Sequence, residues 1–194
     1  MMDLQKGNLF LTMLAKIKIF NGKKITIRPL LKKDLKLPEK FRKFINSLIT
    51  ENAQVAFNKK LSLKEERIFL KNTLSQIKKR FGVFIVAEHN KIVVGTASIT
   101  LKGNRQNHVG EYGITVRKDY RGIGLGGYLT EEIIKLSQKQ LKPTPKIIRL
   151  SVFSTNKPAI NLYKKHGFKK VAEIPNQMEY NGKLVGETIM LLQL

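Results

Sequence analysis

The run Val116-Arg117-Lys118-Asp119-Tyr120-Arg121-Gly122-Ile123-Gly124-Leu125-Gly126-Gly127 separates an alternating apolar stretch, 108–116, from a stretch of helical spacing that carries Leu129, Ile133, Ile134 and Leu136. Three of its glycines alternate and a fourth adjoins, so successive backbone N–H groups are presented with no Cβ to block an approaching phosphate. The helix that follows adds its unpaired first-turn N–H groups and about half a positive charge from its dipole. Arg121 places a full charge at the loop entrance. The segment reads as a pyrophosphate cradle between a strand and a helix.

Gly122, Gly124 and Gly127 also satisfy the G-x-G-x-x-G of dinucleotide-binding folds. There the glycines follow the strand closely, and an acidic residue roughly 20 positions later grips the ribose. Here residues 117–120 intervene and the later apolar stretch 146–153 has no acid. No G-x-x-x-x-G-K-[ST] occurs, which excludes a Walker loop.

Working outward, Ile17, Ile19 and Ile25, Ile27 alternate around Asn21-Gly22, the signal for a two-residue hairpin. Helical patterns are expected over 32–48 and 61–80, the second with Leu63, Ile68, Phe69, Leu74 and Ile77 on its apolar face and Ser62 with Glu65 as a capping box. Strands are expected over 83–88 and 92–101, joined by His89-Asn90-Lys91, then 108–116, and 146–153 after the breakers Pro143 and Pro145. Asn156 caps a helix with Pro158 in its first turn, which stops at Gly167. The tail adds strands around a second Asn-Gly turn, Asn181-Gly182. The fold class is α+β: one domain over 16–194, a mixed, mostly antiparallel sheet with helices on both faces, preceded by an extension over 1–15.

The 194 residues contain 37 Lys and Arg against 14 Asp and Glu, a formal charge of +23. Such a field favours anionic partners, coenzyme A and nucleic acid among them. The basic residues come as scattered pairs and one triplet, Lys78-Lys79-Arg80, rather than as a long basic tail. With no cysteine there is no disulfide, thiolate metal site or cysteine nucleophile, and the expected setting is the cytoplasm. The apolar stretches are broken before membrane-spanning length, so no membrane segment is expected. His89, His108 and His166 lack metal spacing, and no metal is expected.

VRKDYRGIGLG at 116–126 resembles the acetyl-CoA signature of the GNAT acetyltransferases, R/Q-x-x-G-x-G/A, with Arg121, Gly124 and Gly126 in its positions. SVFSTNKPAINLYKKHGF at 151–168 is similar to that family's next block, whose Asn, Ala and Tyr fall at Asn156, Ala159 and Tyr163. YNGKLVGETIM at 180–190 resembles the ending of members that acylate amino acids or small amines. The likeness covers roughly 24–194.

The resemblance implies a GNAT-like fold and transfer of the acetyl group of acetyl-CoA to a primary amine. The strand before the glycine loop would be splayed from its neighbour, so that Ile114, Thr115 and Val116 bind the pantetheine arm through free backbone groups. Gly113 would ease the distortion, because glycine inside a strand marks a bulge or a close backbone approach. Arg121, Gly122, Ile123, Gly124, Leu125, Gly126 and Gly127 would hold the pyrophosphate, and Asn156 and Ala159 would contact the arm. Tyr163 matches the family tyrosine that protonates the departing thiolate. Glu111, on the strand face of Gly113, is the candidate base for an amine that must be neutral to attack. The acceptor is expected to be a small amino-bearing molecule, with polycationic polyamines ranked below amino acids because of the +23 field. Alternatives are a protein N-terminus or ribosomal protein as acceptor, or a basic module that binds RNA or the ribosome on the same fold. A homodimer is compatible with the sequence.

Overall fold

Asn21 and Gly22 take φ of 46° and 74°, the left-handed pair that a two-residue hairpin requires, and join β1 (Lys16–Phe20) to β2 (Lys23–Pro29). This hairpin opens a computed structural model that describes residues 15–194, so the extension expected over 1–15 lies, but for Ala15, outside the described residues. A 3-10 turn (Lys32–Lys36) leads to α1 (Pro38–Thr50) and then α2 (Leu63–Lys78). β3 (Gly82–His89), β4 (Ile92–Leu101) and β5 (Val109–Val116) follow, then α3 (Leu125–Gln140), β6 (Ile147–Phe153), α4 (Lys157–Lys165), β7 (Lys169–Tyr180) and β8 (Lys183–Gln193).

The strands form one eight-stranded sheet in the order β1-β2-β3-β4-β5-β6-β8-β7, antiparallel at every step but β5–β6. Helices cover both faces. On one, Leu125, Leu129 and Ile133 of α3 and Tyr163 of α4 pack on Ile25, Ile85, Ile99, Ile148 and Met190. On the other, Phe41, Phe44 and Leu48 of α1 and Leu70 of α2 pack on Phe84, Val86 and Val93. The sheet is thus shared between two apolar layers, as the α+β reading expected.

Several expectations shift at this level. The helical pattern over 32–48 is divided, because Pro38 stands at the first helical position of α1 and Leu37 before it leaves helical geometry (φ −126°, ψ 42°). The capping box forms: Ser62 Oγ accepts from the Glu65 N–H at 3.2 Å and Glu65 Oε2 accepts from the Ser62 N–H at 2.7 Å. In α2, Ile68 and Phe69 are partly exposed, Phe69 with its ring edge-on to Phe84, whereas Glu66 and Leu70 are buried. The inward face therefore follows 63, 66, 70, 74 and 77. Gly113 marks no bulge, since β4 and β5 stay in register from Gly95–Val116 to Leu101–Gly110. Its missing Cβ would meet only Ser98 Oγ, at 3.6 Å, an ordinary contact.

α1 is pinned to the sheet by a buried ionic network. Arg28 of β2, 8% exposed, donates to both oxygens of Asp34 (2.8 and 2.9 Å) and both of Glu88 (3.0 and 2.8 Å), while Lys40 of α1 also bonds Glu88. Burial alone would lower the guanidinium pKa, but the bonds from Glu88 and Asp34 outweigh it and raise the pKa above the usual arginine value. Removing one member strands a buried charge. Asp34→Ala is expected to lower the unfolding free energy by about 3–5 kcal/mol in guanidinium titrations. Glu39→Ala, which breaks the exposed pair with Arg42, should leave the midpoint nearly unchanged.

Candidate functional site

β5 and β6 pair over only three positions, Val109–Ile147, Gly110–Ile148 and Glu111–Arg149, and then separate. On its other edge β5 stays paired with β4 to Val116. The backbone of residues 112–116 is therefore without a strand partner on the β6 side, and the gap opens into a cavity of about 1320 Å³. Backbone polar groups in such a place need a partner from outside the sheet. Ile114, Thr115 and Val116, the residues assigned to the pantetheine arm, line this gap.

The N-terminus of α3 meets the same cavity. Gly124 caps the helix at φ 89° and Gly122 takes φ 73°, left-handed conformations that glycine adopts without a Cβ penalty. The first bond closing α3 runs from the Tyr128 N–H to Gly124 O (3.1 Å), so the N–H groups of Leu125, Gly126 and Gly127 have no intrahelical acceptor. Gly122, Gly124, Gly126 and Gly127 line the cavity. The side chains of Ile123 and Leu125 instead pack into the α3-side core, so only their backbone is available to a ligand.

Arg121 is anchored by its Nε, which donates to Val116 O at 2.8 Å, and its guanidinium forms an ion pair with Glu51 at the end of α1. Glu51 also accepts from the Lys118 N–H at 3.3 Å. A carboxylate thus occupies the donors that an anionic ligand would use. The sequence reading missed Glu51, because nothing local to it marks a contact 70 residues away.

Across the gap, Asn156 caps α4 by accepting from the Ala159 N–H at 3.3 Å, and both residues line the cavity. Tyr163, one turn further along, also lines it. Its ring stands edge-on to Tyr112 at 5.8 Å, and burial pushes its hydroxyl pKa up to about 12. The phenol therefore keeps its proton across the physiological range. Tyr112, whose hydroxyl is bonded to Thr130 Oγ1 at 2.8 Å, is occupied in the core.

Glu111 lies on the face of Gly113 and Thr115, as strand alternation requires, but outside the residues that line the cavity. Its carboxylate accepts from Arg149 Nη1 at 3.2 Å and stands 3.8 Å from Lys102 Nζ. The structure brings Tyr163, Asn156, Ala159, Arg121, the β5 edge and the glycines together around one space, and leaves Glu111 beside it.

Of the carboxylates that line the space, Glu51, Glu65 and Glu66, the buried one is Glu66. It is 3% exposed and lines the cavity with Phe41, Phe44, Phe69 and Phe84. Its carboxylate has no hydrogen bond or ion pair among the described residues, and burial alone pushes its pKa up to about 7. The signal was present in the sequence as an acid at position 66 of an apolar stripe 63, 70, 74, 77. It is hidden by reading Ile68 into the inward face. Among the described residues no His, Asp and Glu cluster could hold a metal ion, and no helix is long and apolar enough to cross a membrane.

Residues 46–168 match the family model described as the acetyltransferase (GNAT) family. The L-amino acid N-acetyltransferase AaaT of Escherichia coli (strain K12) is 36% identical over 78 residues, which is 40% of this chain and 47% of that protein. The chain spans about half the length of the curated relatives it matches. An acetyltransferase of the GNAT family from Streptococcus pneumoniae superposes with a TM-score of 0.76 at 25% identity, covering 88% of this chain and 99% of that one. The fold is also that of yncA from Salmonella typhimurium, solved with its cofactor acetyl-CoA, at a TM-score of 0.71, 21% identity, 88% of this chain and 94% of that one.

An unpartnered acid inside a protein leaves a thermodynamic trace. With its folded pKa raised above the unfolded value, the folded state holds the Glu66 proton more tightly, so its contribution is fully favourable below about pH 4.5 and is lost as pH rises through about 7. Glu66→Gln removes the titration. The stability difference between variant and wild type should shift in the variant's favour by roughly 2–3 kcal/mol between pH 4.5 and 7.5, read from denaturant midpoints. A difference independent of pH would mean that the carboxylate titrates normally.

Proposed function

The chain belongs to the acetyltransferase (GNAT) family, and on that premise we propose that it transfers the acetyl group of acetyl-CoA to the primary amine of a small amino-bearing molecule. The observation that carries this reading is the unpaired edge of β5 opening beside the glycine-rich N-terminus of α3, in one cavity with Tyr163. Each part meets a different portion of the co-substrate. The free N–H groups of 125–127, with Lys118 and Arg121, offer donors and charge for the pyrophosphate. The edge at Ile114 to Val116 offers strand-like hydrogen bonds for the amide-bearing arm, with Asn156 and Ala159 across the gap.

The chemistry is direct attack of a neutral amine on the thioester carbonyl carbon. A nitrogen–carbon bond forms, the carbonyl electrons move to oxygen, and a backbone N–H of the β5 edge stabilises that oxyanion. On collapse the carbon–sulfur bond breaks and the sulfur takes the proton of Tyr163, which burial keeps on the phenol. Glu111 is the proposed base: it takes the proton that the amine nitrogen loses, and solvent returns a proton to Tyr163 for the next turnover. The place of Glu111 outside the cavity lining, with Arg149 and Lys102 beside it, requires that it act through a water.

Calorimetric titration with coenzyme A should give a single site of micromolar order, about −8 kcal/mol, and folded protein that binds none would overturn the reading. Tyr163→Phe is expected to lower kcat by about 10²–10⁴-fold with little change in the KM for acetyl-CoA. Retention of more than half the activity would exclude the acid role. Glu111→Gln should abolish the rise of rate with pH on the acidic limb, and an unchanged profile would place the base elsewhere.

A further inference from the structure

The cavity has two chemically distinct halves. Its basic lining residues, Lys118, Arg121 and Lys165, lie around the α3 loop and on α4. The part contributed by α1, α2 and strands β3 and β4 has no Lys, Arg or His in its lining. It has instead the phenyl rings of Phe41, Phe44, Phe69 and Phe84 and one buried carboxylate, Glu66. Glu65, next in sequence, is turned to Ser62 by the capping box.

We infer that Glu66 is the recognition carboxylate for the ammonium group of the acceptor, and that the acceptor is an amine with an apolar body and no carboxylate. The inference rests on the acetyl-transfer reading for the identity of the cavity's second occupant, and deepens it. A carboxylate largely withdrawn from water and without a protein partner is costly, and the cost falls when a cation is brought against it. Aromatic faces add attraction for an ammonium and burial for a hydrocarbon body. The raised pKa of Glu66 is the same deficit seen from the proton's side. A free amino acid would carry its own carboxylate into a region that holds two acids and no basic side chain among the described residues, where like charges repel and nothing replaces lost water. Specificity here arises as much from that repulsion as from the ammonium contact.

The test is calorimetric titration of the full chain, at mildly alkaline pH, with 2-phenylethylamine, L-phenylalanine and 2-phenylethanol, for wild type, Glu66→Gln and Glu66→Asp, with coenzyme A titrated into the same samples. Wild type should bind 2-phenylethylamine at least about tenfold more tightly than either the amino acid or the alcohol, because the amino acid adds an unpaired acid and the alcohol lacks the cation. Glu66→Gln should lose the preference over the alcohol, and Glu66→Asp should keep part of it. L-Phenylalanine binding as tightly as the amine, an unchanged preference in Glu66→Gln, or no amine binding at all would overturn the inference. Coenzyme A failing to bind while the amine preference holds would sink the acetyl-transfer reading and leave the recognition by Glu66 standing.

Discussion

β5 and β6 exchange hydrogen bonds over three residues and then part, so that the backbone of residues 112–116 faces a gap while remaining fully paired with β4. In a sheet this is a deficit of the kind usually found at an outer edge, here placed in the middle of eight strands. The fold tolerates it because the surrounding layers do not depend on it. Tyr112, Ile114 and Val116 still contact the α3-side core, and β6 is held on its far side by seven positions of pairing with β8. A rigid frame with one unpaired internal edge is a binding device by construction, since any extended molecule with amide groups can complete the ladder. The helix that starts at Gly124 lies at the end of that edge, so the strand deficit and the helix-terminus deficit share one solvent space.

The other half of the cavity depends on a different constraint. α1 reaches its place over the sheet through Lys40 and Glu88, which Arg28 ties to Asp34, and α2 reaches its place through Leu70. Where those helices lie decides which phenyl rings line the space and that Glu66 points into it. The ionic network is expensive to assemble away from water, yet it is fully bonded, whereas Glu66 is not. Asp34 and Glu66 are both buried residues, but Asp34 is bonded within the fold, whereas the Glu66 carboxylate opens onto the cavity.

The legible part of this molecule was the part with short-range grammar. Asn21-Gly22, Ser62 with Glu65, Asn156 with Pro158, and the alternating glycines each state a local backbone conformation, and each appears where its chemistry requires. The illegible part was non-local. Glu51 meets Arg121 across 70 residues, and Glu111 meets Arg149 across 38, so neither pairing leaves a mark in any short window. The face of α2 was misread for a subtler reason. Hydrophobic periodicity rewards Ile68, but helix α2 borders a cavity rather than a closed core, and bordering a cavity permits an acid on the inward stripe. The absence of a bulge at Gly113 belongs to the same class: glycine there leaves room over Ser98 and the gap rather than bending the strand.

The surplus of +23 invites an electrostatic account of anion binding, but at the cradle itself the Arg121 guanidinium is already engaged. Arg121 is paired with Glu51, and the Lys118 N–H accompanies it. An anion arriving at this point exchanges one charged partner for another, and the net gain of an exchange is smaller than that of a bond made from nothing. The N–H groups at the start of α3 are in a different position, because no residue of the helix can accept from them. On the proposed reading, affinity at the cradle comes from the backbone of 125–127 and from the Lys118 and Lys165 ammonium groups, with Arg121 acting to orient. The wider Lys-rich surface raises the local concentration of anions by a long-range, salt-screened attraction.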